Sequence, residues 1–282
     1  MFNLLFFLLL ATRFWNLGLK PPHHDEAING WFVMQIWQKG HFTYDPTNYH
    51  GPLLFYLFQL AELFGGCGVE SFRFVTVAFS AATMLWLYRW TRRRLFISGW
   101  WALALALSPG FLFFSRSAIH EAPLLFFFAM ATTGWIDFWC LRQGPRALIV
   151  FLYGVLGALL LKETFVIPLV LGLLATAPLI LKKEPWLLMR AQMRRLLFHF
   201  LVVVLVAAAF YSGFGHHPQG LVDFFAAFLP WMKTGVSGQG HEKEFLYFVK
   251  LILNYEPATQ LALGLCLAGL FLRGWVRGVS LW

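Results

Sequence analysis

Charge is what this chain has least of. Asp, Glu, Lys and Arg make up only 12% of its 282 residues, against 59% hydrophobic and 19% aromatic. So few charges could not clothe the surface of a soluble domain of this size. Cysteine is also sparse. Cys67, Cys140 and Cys266 are scattered without CxxC spacing, which excludes a disulfide framework and a zinc knuckle. No period-2 alternation runs through the apolar stretches, which argues against a β-barrel, and no internal repeat or low-complexity tract is present. The start of the chain lacks the basic n-region and small-x-small site of a cleavable signal peptide.

What is present is a series of long apolar runs. A helix of about 20 residues crosses a hydrocarbon core of about 30 Å. The runs predict about eight spans, at roughly 2–19, 70–90, 95–114, 121–141, 147–161, 165–181, 197–213 and 257–272. An interfacial helix is expected between His50-Gly51-Pro52 and Gly65-Gly66, being too short to span. A basic amphipathic stretch is expected over roughly 184–196, a polar loop over 214–245 and an aromatic helix over 245–256. The fold class predicted is all-α: one polytopic transmembrane helical bundle over residues 1–282, with outer loops 20–69 and 214–256 forming a polar face.

The charges are sorted by side. Arg89 and Arg92–Arg94, Arg142 and Arg146, Lys182 and Lys183, Arg190 with Arg194 and Arg195, and Arg273 and Arg277 fall at every second boundary, joined only by Asp137 and Glu184. All remaining acids, and every His except His199, fall on the other side. The positive-inside rule makes the basic side cytoplasmic. It also accounts for the net charge of +9 without nucleic acid as a partner.

Five connections on the acidic side carry chemistry-bearing residues. His23-His24-Asp25-Glu26 follows the first run. Its carboxylates suit a general base or a metal ligand, and Asp25 equally suits a helix N-cap. Tyr44-Asp45-Pro46 leads to Tyr49-His50-Gly51-Pro52, where His50 faces a phosphate or a metal, or only marks a turn. Ser115-Arg116 and His120-Glu121 join the third and fourth spans. Arg116 could grip a phosphate, or pair with Glu121. Lys162-Glu163 sits in an almost absent connection and reads as a cavity pair or an internal ion pair. Finally, His216-His217 and Gly240-His241-Glu242-Lys243 lie in the last outer loop, the paired His reading as loop surface.

Arg13-Phe14-Trp15-Asn16-Leu17-Gly18 followed by His23-His24-Asp25-Glu26-Ala27 resembles the first outer loop of the GT-C class of membrane glycosyltransferases. That class includes the protein O-mannosyltransferases (glycosyltransferase family 39) and the lipid A aminoarabinose transferase. The segments around Tyr44, His50, Arg116, Glu121, Lys162 and His241 follow in the order of similar segments in a prokaryotic, flippase-associated branch. The resemblance implies transfer of a hexose from a polyprenyl- or dolichyl-phosphate donor to a glycan, lipid or protein hydroxyl on the outer face, with inversion. It implies Asp25 as base, Glu26 and Glu121 as further acids, and His24, His50, Arg116, Lys162, His241 and Lys243 toward the donor phosphate. A divalent metal (Mg, Mn or Zn) held by Glu121, His50 or His241 stays open. Relatives usually have more spans, so the chain reads as a short member or the N-terminal portion of a longer fold. Two rivals remain: a non-catalytic carrier of lipid-linked sugar or flippase accessory, and a solute transporter. The acids cluster at the outer ends and not mid-span, which ranks the transporter last.

Overall fold

The structure, a computed structural model, describes residues 2–48, 50–95, 99–141, 143–177, 183–229 and 246–279. Among them, all regular structure is helical except one isolated antiparallel bridge. The helices are α1 (Phe2–Thr12), α2 (His24–Lys39), α3 (Leu53–Gly65), α4 (Val69–Trp90), α5 (Trp100–Ala106), α6 (Pro109–Ser115), α7 (Glu121–Trp139), α8 (Arg146–Leu159), α9 (Val166–Ala175), α10 (Lys183–Ala191), α11 (Met193–Tyr211), α12 (Gly220–Ala226), α13 (Tyr247–Tyr255) and α14 (Pro257–Val279).

Three helices are long and apolar enough to cross a membrane: α4 with its continuation to Leu95, α7, and α11. Almost none of α11 is buried inside the protein, and Leu197, Leu201, Val204 and Leu205 stand exposed along it. An apolar helix with so little protein cover is consistent with a membrane environment. The first predicted run ends at Thr12, where Arg13 turns inward. Its Nη1 donates to Ser115 Oγ at 2.7 Å and its Nη2 to the Ala106 carbonyl. The run expected at 95–114 is broken between α5 and α6. Pro109 has no amide to continue a helix, and Ser108 becomes an N-cap whose Oγ accepts from Phe111 N at 3.2 Å. The amphipathic stretch and the following run are divided at Gln192. The polar loop after α11 contains the short helix α12.

The two largest of four apolar clusters among the described residues organise the bundle. One gathers α2, α3, the first half of α4 and the 156–161 end of α8 around Val33, Phe55, Phe58 and Leu161. The other joins α1, the second half of α4, α5 and α14 around Phe6, Met84 and Trp101. Helices α7 and α8 pack most closely of all, and Gly154 permits it: a Cβ there would strike the backbone of Ala131. In α2, Glu26, Asn29, Val33 and Ile36 are buried at helical spacing while Ile28, Trp31, Met34 and Trp37 are exposed. That pattern suits a helix lying at an interface, with its inner stripe locked to the bundle.

Candidate functional site

The N-terminus of α2 is fixed by a capping box: the His23 amide donates to Glu26 Oε2 at 2.7 Å, and His23 Nδ1 accepts from Asp25 N at 3.3 Å. Glu26 does more than cap. Both its oxygens face Arg73 on α4, at 2.8 Å from Nε and 2.7 Å from Nη2, and Oε1 also accepts from Ala118 N at 2.7 Å. Neither side chain of the pair reaches solvent. Burial alone would raise the Glu26 pKa, but these four donors outweigh it and hold the carboxyl down at about 2. Asn29 adds a bond from Nδ2 to the Ala118 carbonyl, 2.9 Å. The Asp25 side chain is thereby set on the exposed side of a rigid first turn, 59% accessible, with His23 Nδ1 at 3.5 Å.

The isolated bridge brings the second and fourth sequence segments together. His50 pairs with Lys162, the Gly51 amide donates to Leu161 O at 3.0 Å and the Leu53 amide to Leu160 O at 3.0 Å. Only glycine fits at 51, because a Cβ would collide with the Leu160 carbonyl. His50 then packs against His120, the residue before α7, with ring centroids 4.4 Å apart and planes tilted by 44°, and His120 packs edge-on to Phe55 at 5.5 Å. Lys162 reaches across to Glu121, Nζ to Oε1 3.2 Å, and both remain partly exposed.

Electrostatics differ across this cluster. Burial, then the Lys162 charge, lower the His50 pKa; the Asn48 carbonyl and the Glu121 and Asp25 carboxylates oppose them less strongly. His120, wholly buried, is held well below the ordinary histidine range by burial and by its neighbours His50 and Lys162. Both imidazoles are neutral at pH 7. His50 Nδ1 lies 2.5 Å from the Asn48 carbonyl, which can only accept, so Nδ1 carries the proton and Nε2 presents a lone pair. His120 Nε2 is buried with no hydrogen-bond partner. The cation facing any anion here is therefore Lys162. Behind it, Glu163 turns away into the bundle, where Tyr44 Oη donates to its Oε1 at 2.5 Å. Burial pushes the Glu163 carboxyl up to about 7, against the Tyr44 bond. Tyr211, edge-on to Tyr44, gives its own proton to Leu159 O at 2.7 Å.

The expected residues thus divide. Asp25, His50, Glu121 and Lys162 share one end of the bundle, and Asp25, Glu121 and Lys162 all act on His50. His24 is exposed beside Asp25. Arg116 neither pairs with Glu121 nor stands unoccupied; its Nη2 donates to the Trp15 and Asn16 carbonyls at 2.7 and 2.8 Å. Lys162 and Glu163 are not an ion pair with each other, since they point to Glu121 and Tyr44. His241 and Lys243 lie outside the described residues. Among the described residues, no three His, Cys, Asp or Glu side chains gather as a metal-ligand set. Sequence reading missed Arg73 and gave His120 no role. A lone Arg one turn into an apolar run signals an internal acid partner; nothing comparable marks His120. No protein-family model matches the chain, and no curated protein matches it.

Proposed function

We propose that the chain is an integral-membrane glycosyltransferase of GT-C type, moving a hexose from a polyprenyl-phosphate donor to an acceptor hydroxyl on the outer face. The observation that carries this reading is the gathering of Asp25, Glu121, Lys162, His50 and His120 at one end of an apolar bundle. The eight-span arrangement belongs to the same proposal. In it, α1, α5–α6, α8, α9 and α14 add crossings to those that α4, α7 and α11 are long and apolar enough to make.

Asp25 is the base. It is exposed, and its helix turn is immobilised by the Glu26–Arg73 clamp. It takes the acceptor hydroxyl proton as that oxygen attacks the anomeric carbon. The bond from that carbon to the donor phosphate breaks on the opposite face, and the electron pair leaves with the phosphate. Lys162 meets the charge that develops, and Glu121 holds Lys162 in place. Glu26 carries no proton, because four donors already occupy its oxygens. Arg116 braces the turn after α1, so its contribution is positional.

The test is transfer of radiolabelled sugar from a panel of polyprenyl-phosphate hexoses into membrane extracts. Wild type should transfer label, and Asp25→Asn should fall by about a thousandfold while still binding donor. Equal transfer by both proteins rejects Asp25 as base. Donor binding without transfer by either favours the carrier or flippase-accessory reading.

A further inference from the structure

The far end of the bundle, away from Asp25, holds a second built site. There α4 runs into a π-helical turn, Thr91–Leu95, a geometry that often marks function. The turn sets Arg94 against α7, Nε to Asp137 Oδ2 3.2 Å, and onto Gln143 Oε1 through Nη1 at 2.9 Å. The indoles of Trp86 and Trp90 are anchored beside it, on Thr133 Oγ1 at 2.9 Å and Asp137 Oδ1 at 3.0 Å. Two adjoining cavities share Arg94, Asp137, Ala147 and Val150 in their walls. One, of about 490 Å³, is a largely apolar groove between α4, α7 and α8, floored by Trp86, Trp90 and Phe126 and rimmed by Arg89 and Arg93. The other, of about 580 Å³, is a polar basin walled by Gln143, Arg146, Gln192 and Arg195. Both fall in the size range of ligand pockets, about 300–1,000 Å³.

The charge balance is one-sided. Asp137, the one acid in these walls, is committed to Arg94, and Arg146 and Arg195 form no ion pair with a described residue. A basic basin continuous with an apolar, indole-lined groove matches an anion that carries a hydrocarbon chain. We propose that this end binds one anionic phospholipid, its phosphate against Arg94, Arg146 and Arg195 and an acyl chain in the groove beside Trp86 and Trp90. A soluble phosphate would use the basin and leave the groove empty. This site is independent of the sugar-transfer reading.

The experiment uses the purified full chain in neutral detergent and measures binding of dioleoyl phosphatidylglycerol, dioleoyl phosphatidylcholine and sn-glycerol 3-phosphate by native mass spectrometry. Phosphatidylglycerol should bind at least about tenfold more tightly than phosphatidylcholine. Arg146→Gln/Arg195→Gln should weaken it about thirtyfold and Arg195→Gln alone about fivefold, each Arg being worth about 1 kcal/mol beside an anionic lipid. Both side chains are exposed, so their loss opens no core. Arg190→Gln/Arg194→Gln removes the same charge from exposed positions outside the two cavities and should leave binding within about threefold. Equal loss in the two double variants, equal binding of the two lipids, or displacement of phosphatidylglycerol by equimolar glycerol phosphate would each overturn the proposal.

Discussion

Two buried glutamates, Glu26 and Glu163, behave oppositely, and their surroundings decide how. Glu26 meets a guanidinium and two amides and is ionised; Glu163 meets phenols and no guanidinium, and burial lifts it to about 7. For Glu163 the folded pKa lies above the unfolded one. The stability that its protonated form contributes is complete below about pH 4.5 and is lost as pH rises through 7, a change of about 3 kcal/mol. The thermal transition of the detergent-solubilised protein should therefore fall between pH 5 and 8. Glu163→Gln, which keeps an acceptor for Tyr44 without the ionisation, should flatten that fall; an unchanged slope would show that other groups dominate. At this scale the sequence was only partly legible. The motif His23-His24-Asp25-Glu26 presents two adjacent carboxylates, and only the family resemblance singles out Asp25 as base. Which one is spent on the fold depends on Arg73, 47 residues away, and no local pattern encodes that pairing. Lys162-Glu163 likewise read as a pair because the residues are adjacent, yet adjacent residues at a helix junction point to different neighbours.

Among the elements, the short antiparallel bridge does the most for the site. It places His50 beside His120 and Lys162 within reach of Glu121, and it exists because position 51 has no side chain. Gly51→Ala must push the 50–53 and 160–162 backbones apart. We expect a loss of about 1–3 kcal/mol in stability and a larger proportional loss of sugar transfer than of donor binding by the apolar bundle. Transfer unchanged from wild type would detach the bridge from catalysis. Helix boundaries were legible where composition changes abruptly. The start of α7 at Glu121 and the start of α8 at Arg146 fall at or beside the expected boundaries. They were illegible where an apolar run conceals a break. The α5–α6 interruption turns on Ser108-Pro109, whose amide-free ring ends one helix and opens the next inside a stretch that hydropathy treats as continuous. The end of α1 depends on where Arg13 finds its acceptors.

Taken as a whole molecule, α7 has Glu121 with Lys162 at its start and Asp137 with Arg94 near its end, and two native thiols report on which end faces which side. Cys67 precedes α4 at the Asp25 end and Cys140 follows α7 at the Arg94 end; both are exposed. In intact cells a membrane-impermeant maleimide should label Cys67 and spare Cys140, which should react only after permeabilisation. Labelling of Cys140 first would invert the orientation, and labelling of both at once would deny that α4 and α7 cross the bilayer.

The clasp around the α5–α6 break carries a consequence for biosynthesis. Ser108 Oγ and the Gly110 amide donate to Glu256 at 2.5 and 2.6 Å, across 148 and 146 residues of sequence. A ribosome completes the donors long before it reaches their acceptor. Until the junction of α13 and α14 is made, these groups lack the Glu256 acceptor that they meet in the folded chain. The α5–α6 break therefore completes its hydrogen bonding only after the α13–α14 junction has been synthesised.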